Sequence, residues 1–193
     1  MWILDAEDRG EINLADGSRG VFGTSDALIL GWHMSAGDVT GDGYADIVID
    51  MDPQRADDGY RLWGVVMAGP LPESTTVLSA VAQYEQIADD QYWNSTAVVG
   101  DVDGDGSPGD LLVAIPGTLG IHLLPSPLCG TYELDRHTLL TQSATGEDLL
   151  GGHIVPLPDV DGDGYDDVLI AAPLDDEGAP DAGAVYTLFG GSW

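Results

Sequence analysis

A chain of 193 residues with 44% apolar content is long enough to bury one good core and has the make-up of a globular protein. Its 27 Asp and 7 Glu are set against 5 Arg and no Lys, a formal net charge of −29. That balance excludes nucleic acid and anionic membrane as partners, because both kinds of binding rest on clustered Lys and Arg.

Met1 is followed by Trp2-Ile3-Leu4-Asp5, with neither a basic n-region nor an apolar h-region. No apolar run approaches the ~18 residues of a membrane span, so membrane insertion is not expected. Residues 1–20 hold two short strand candidates, Trp2 to Asp5 and Glu11 to Leu14, which read as the tail of a preceding unit. The first full unit, 21–90, offers strands at about 32–37, 45–51, 60–67 and 75–79, with Asp57-Asp58-Gly59 as a hairpin turn. Because Glu73 to Val99 lacks Gly and Pro, a helix around Val77 to Ile87 is the alternative for its last part, although the other units offer no matching segment.

The second unit, 91–148, offers strands near 95–100, 110–115 and 119–124, with a weaker one within 131–141. Pro125-Ser126-Pro127-Leu128-Cys129 reads as loop. Cys129 is the single cysteine and closes no internal disulfide; it is either a small buried or neutral filler or pairs outside this chain. The third unit, 149–193, offers strands at about 153–157, 167–172 and 183–190, a long acidic turn Asp175-Asp176-Glu177-Gly178-Ala179-Pro180-Asp181, and no fourth strand.

Each unit carries the same loop between its first two strands. Asp159-Val160-Asp161-Gly162-Asp163-Gly164-Tyr165-Asp166-Asp167 is the fullest copy, with carboxylates at positions 1, 3, 5 and 9 and glycines at 4 and 6. Asp38-Val39-Thr40-Gly41-Asp42-Gly43-Tyr44-Ala45-Asp46 repeats it, as does Asp101-Val102-Asp103-Gly104-Asp105-Gly106-Ser107-Pro108-Gly109-Asp110 with one inserted residue. The first aspartates are 63 and then 58 residues apart, a period that marks one supersecondary unit per copy. Like charges crowded into one tight turn repel, and hard oxygen ligands converging on one point suit calcium.

The expected ligands are Asp38, Thr40, Asp42, Tyr44 and Asp46 in the first loop, then Asp101, Asp103, Asp105, Ser107 and Asp110 in the second. In the third they are Asp159, Asp161, Asp163, Tyr165 and Asp167, with position 7 offering its carbonyl. An EF-hand would close with a bidentate Glu at position 12; here that place is Ile49, Leu112 and Ile170. The aliphatic runs Ile47-Val48-Ile49, Leu111-Leu112-Val113 and Val168-Leu169-Ile170 read instead as strands buried on both faces. By charge count the loop at Asp159 binds tightest. The loop at Asp101 ranks second because the Pro108-Gly109 insertion displaces Asp110, and the loop at Asp38 is weakest because Thr40 replaces a carboxylate.

These residues resemble the FG-GAP repeats of integrin α-subunit β-propellers and their bacterial relatives. The resemblance rests on the loops, on Ala171-Ala172-Pro173 and Ala114-Ile115-Pro116 in the place of Gly-Ala-Pro, and on the closing strand Gly183-Ala184-Val185-Tyr186-Thr187-Leu188-Phe189-Gly190. Leu30-Gly31, Trp93-Asn94 and Gly151-Gly152 occupy the Phe-Gly places. It implies an all-β fold, a single partial β-propeller of about three four-stranded blades. Residues 1–20 are then the tail of a blade, 21–90 and 91–148 two blades, and 149–193 an incomplete one, with about three structural calcium ions.

Closed propellers need about four to eight blades. Either the remaining blades lie outside this chain, as in a fragment of a longer secreted protein, or copies associate. The resemblance implies an extracellular or cell-surface module that binds a protein or glycan ligand in adhesion. The alternative is an accessory propeller of a secreted hydrolase or polysaccharide lyase whose catalytic domain is not in this chain.

No catalytic set emerges. His33 and His153 sit on the strands entering the first and third loops, and His122 and His137 have no motif around them. Ser95, Ser107 and Ser143 lack a nucleophile-elbow context. Asp166 and the cluster Asp175-Asp176-Glu177 read as solvated turns rather than a glycosidase pair. Trp32 and Trp93 are expected to be buried between blades, with Trp63 left open as a sugar-stacking surface.

Overall fold

The computed structural model describes residues 20–22, 30–56, 59–72, 74–88, 94–116, 120–140 and 148–191. The candidate strands of the N-terminal 19 residues, Trp93, Ser143 and the side chain of Trp63 lie outside this description. All regular structure among the described residues is β apart from two single 3₁₀ turns, Val77–Ser79 and Leu134–Arg136.

Among the described residues fourteen strands follow in chain order. They are β1 Gly20–Phe22, β2 Leu30–Gly37, β3 Asp46–Ala56, β4 Gly59–Met67, β5 Ser74–Thr76, β6 Ala82–Ala88 and β7 Ser95–Val98. Then come β8 Leu111–Ile115, β9 Gly120–Leu124, β10 Gly130–Glu133, β11 Thr138–Leu140, β12 His153–Leu157, β13 Asp167–Ala172 and β14 Ala184–Leu188. The first sheet runs β2-β3-β4-β6 antiparallel, the second β7-β8-β9-β11, and the third β12-β13-β14. In each, the loop of repeated aspartates connects the first two strands.

Two strand expectations and the alternative helix come out differently in the structure. The helix considered over Val77 to Ile87 is not formed: one 3₁₀ turn leads into β6, whose Tyr84 is buried against the second sheet. The strand expected at 75–79 is the short β5, which pairs in parallel with β1 as a separate ribbon. The weak strand within 131–141 is two strands, and they go to different places. β11 closes the second sheet, whereas β10 crosses to the first and adds to β6 in parallel, from Gly130 opposite Ala82 to Glu133 opposite Glu85.

Three cores follow from the alternation of side chains. Val48, Val66 and Tyr84 of the first sheet meet Leu111, Val113, Ile115 and Leu124 of the second. The opposite face of the second sheet, Leu112, Ala114 and Ile121, packs on Val168 and Ile170 of the third. Every residue of β8 is buried, as its unbroken aliphatic run requires. Each such Leu or Ile contributes about 1.5–3 kcal/mol. The outer face of the first sheet packs Ile49, Met51, Val65 and Met67 under Val21 and Val77.

That cover does not reach the inner strand. Trp32, expected to be buried, is 59% exposed, and Met34 beside it is 51% exposed. Both point away from the second sheet, whereas Ser35 on the other face of β2 accepts the N–H of Val98 at 2.8 Å. At the far end of the array Val155 and Val185, on the face of the third sheet turned from the second, are exposed as well.

Tyr84 reaches Asp50 across Gly64, the residue between them in the sheet. A Cβ at Gly64 would fall 2.1 Å from Tyr84 Oη, so the glycine is required by a close approach rather than by its backbone angles. Gly64→Ala is expected to displace the ring and lower stability by about 1–3 kcal/mol. Urea unfolding of the variant measures this, and an unchanged midpoint would show that the ring has room to move.

Candidate metal centre

The three loops share one hydrogen-bond plan. The position-1 carboxylate turns inward and collects the amides of its own turn. Asp38 accepts from Gly41, Asp42 and Gly43, Asp101 from Gly104 and Gly106, and Asp159 from Gly162 and Gly164. The two glycines of each loop have positive φ, between 72° and 99°, which is why the pattern needs glycine there. These amides hold the Asp159 carboxyl below the usual range. The position-5 aspartates Asp42, Asp105 and Asp163 accept the N–H of Tyr44, Ser107 and Tyr165 at position 7.

Position 9 does more than the sequence suggests. Asp46, Asp110 and Asp167 are completely buried. One oxygen of each accepts the N–H of position 2, from Val39, Val102 or Val160, at 2.9, 3.2 and 2.7 Å. The other oxygen accepts an N–H from the segment after the third strand, Gly69, Ser126 or Gly190, at 2.9, 3.0 and 3.0 Å. The extra residue of the second loop does not prevent this: the Asp110 N–H bonds back to Val99 at 3.1 Å, and its side chain makes the same two bonds as its counterparts. Burial nevertheless pushes its carboxyl up to about 6.

Three oxygens then converge in two of the loops. Asp101, Asp103 and Asp110 form one trio and Asp159, Asp161 and Asp167 another, with oxygens in each within 4.8 Å of one another. Asp105 and Asp163 are not in these trios. Asp161 shows the strain of the arrangement. Desolvation, and then the charges of Asp163, Asp167 and Asp159, push its carboxyl up. In the first loop Thr40 stands at position 3, and its Oγ1 is buried with no hydrogen-bond partner. Oxygen donors gathered at one point have the chemistry of a hard-cation site.

Other residues singled out by sequence are dispersed. His33 and His153 lie on β2 and β12, His122 is buried in β9, and His137 follows the second 3₁₀ turn. Ser95 Oγ donates to the Gly151 carbonyl and Ser107 Oγ to that of Ser126, so both hydroxyls serve structure. The acidic turn is tied down too, with Tyr186 Oη donating to Asp175 Oδ2 at 2.5 Å and the Glu177 N–H bonding to its other oxygen. Cys129 is exposed.

The position-9 carboxylates should matter even without metal. Asp167→Asn turns one acceptor into a donor facing the N–H of Val160 or Gly190, and leaving a buried group unpaired costs about 1–3 kcal/mol. The expected outcome is a lower denaturation midpoint in the presence of a chelator. A loss seen only when calcium is added would assign the residue to the metal alone.

Residues 151–188 match the FG-GAP repeat family. Over 117 residues the chain is 32% identical to integrin alpha-PS2 of Drosophila melanogaster, a stretch covering 58% of this chain and 8% of that protein. The chain thus spans about a twelfth of the length of the curated relative it matches. The matched repeat lies on the strands that carry the third acidic corner, so residues 151–188 form an FG-GAP repeat.

Proposed function

We propose that this chain is part of a calcium-stabilised β-propeller module of an extracellular or cell-surface protein, engaged in protein or glycan binding of the adhesion type. On this reading each large sheet is a blade: 21–90, 91–148 and 149–193, with 1–20 the tail of another. The observation that carries the reading is the recurrence of one acidic corner at the same point of successive sheets, with two of the corners gathering three carboxylates within 4.8 Å. Similarity to an integrin alpha chain supports the adhesion class. Calcium is structural here: it neutralises a turn already shaped by amides, so its binding energy adds to folding.

The ligands proposed are positions 1, 3, 5, 7 and 9 of each loop. Asp42 and Asp163 allow a matched comparison, because each accepts the N–H of the tyrosine two residues on. Replacing either with Ala loses the same hydrogen bond, so the difference reports the metal. Calcium at about 100 times its dissociation constant stabilises by about 2.7 kcal/mol per site. Calorimetry should show a melting temperature raised by calcium, with the rise reduced more by Asp163→Ala than by Asp42→Ala. No calcium-dependent rise at all would overturn the reading.

The exposed end faces fit an array with neighbours on both sides. Trp32 and Met34 at one end and Val155 and Val185 at the other suit either further blades or a second copy. The isolated chain in calcium is expected to self-associate, as light scattering would show; a stable monomer that binds no apolar dye would count against an open array.

A further inference from the structure

Asp50 is the one completely buried aspartate among the described residues that belongs to no acidic loop. It lies four residues beyond Asp46, where the other two sheets carry Ala114 and Ala171 at the same distance from Asp110 and Asp167. The repeat therefore asks for a small apolar residue there, and this chain supplies a carboxyl. It sits at the junction of the first and second sheets. Tyr84 Oη donates to its Oδ1, and Thr96 Oγ1 donates to its Oδ2 at 3.0 Å from across the junction.

The third neighbour is His33, whose Nδ1 lies 4.0 Å from Asp50 Oδ2 and has no hydrogen-bond partner although buried. His33 is already hydrogen-bonded to the backbone of Asn94, and with Nδ1 unpartnered that bond belongs to Nε2. A neutral imidazole that donates through Nε2 carries a lone pair on Nδ1. Two acceptors then face each other 4.0 Å apart, and they can close to a hydrogen bond only with a proton between them.

The groups turned toward Asp50 are His33 from β2, Gly64 from β4, Tyr84 from β6, Thr96 from β7 and Asn94 just before it, and His153 of β12 faces His33 in turn. Of these His33, His153 and Tyr84 are titratable, and none carries a fixed positive charge. We infer that the joint between the first and second sheets is proton-dependent: one proton shared by Asp50 Oδ2 and His33 Nδ1 closes it, and loss of that proton loosens it.

Burial raises the Asp50 carboxyl to about 7 from the ordinary value of 3.8, and burial lowers His33. For a carboxyl so raised, the folded chain binds more protons than the unfolded one between those values. The contribution to stability is therefore fully present below about 4 and lost as pH rises through about 7. It is opposite in sign to that of an ion-paired carboxylate.

Asp50→Asn mimics the protonated state, since its amide can donate permanently to His33 Nδ1. Urea unfolding of the wild type and of Asp50→Asn, at one fixed calcium concentration from pH 5 to 8, separates this joint from the loop carboxylates, which both proteins share. The ratio of the two folding constants should shift in favour of the variant as pH rises, by up to tenfold per pH unit for one proton. Parallel profiles would overturn the inference. Should the variant not fold, ¹⁵N NMR of the wild-type His33 ring decides. An Nδ1 that stays a hydrogen-bonded acceptor until pH approaches 7 supports the shared proton, and titration like that of a free histidine refutes it.

Discussion

Three buried carboxylates hold this molecule together. Placing Asp46, Asp110 and Asp167 out of water is unfavourable unless every oxygen is met by a donor, and each is met by at least two backbone amides from different places in the chain, Asp46 by a third from Thr40. One amide belongs to the start of the loop and the other to the chain leaving the third strand. The loop cannot move without breaking a bond to the strand end, and the strand end cannot move without uncovering a charge. A carboxylate has about four lone-pair directions, so two or three amides leave room for a cation on the same group. The latch and the metal corner are compatible uses of one side chain.

The constraint does not stop at one sheet. The chain leaving the third strand of the second sheet reaches back to the first loop, where the Leu128 N–H bonds to the Val39 carbonyl at 2.8 Å. The same step recurs from Gly191 to Val102 at 2.8 Å. The third loop adds its own contact, because the Tyr165 ring lies where a Cβ on Gly104 or Gly191 would stand, 2.1 and 2.3 Å from its nearest atoms. Successive loops therefore form a row along one edge of the sheets, each fixed to the next. Stability in such an array is a sum of unit and neighbour terms, and here the neighbour term contains the acidic loops as well as the apolar cores. β10 adds a second tie between the first two sheets by lending a strand across the junction.

Much of this was legible because the repeat prints local rules directly into sequence. Glycines at positions 4 and 6 marked where positive φ is needed, and the aliphatic runs after each loop marked strands covered on both faces. What escaped depends on partners far away in the chain. Nothing in Asp46 or Asp167 announces that its second donor is Gly69 or Gly190, 23 residues on. Trp32 stands exposed because an aromatic on an inner strand is buried only if something covers that face, and Val21 and Val77 cover β3 and β4 instead. The crossing of β10 was hidden because a four-residue strand says nothing about which edge it will join.

Asp50 and the loop aspartates show how one residue type is given different work by its donors. A backbone amide can only donate, so the position-9 carboxyl must keep both oxygens as acceptors, and the latch fails if it takes up a proton on either. Among the partners of Asp50 are a phenol and an alcohol, and hydroxyl groups donate or accept according to how they rotate. Tyr84 and Thr96 can serve the ionised acid as donors and can turn to accommodate the neutral one, while His33 Nδ1 waits as the acceptor for the extra proton. Two carboxyls within one strand, both wholly buried, therefore meet different partners: donor-only amides surround Asp46, whereas hydroxyls that donate or accept reach Asp50.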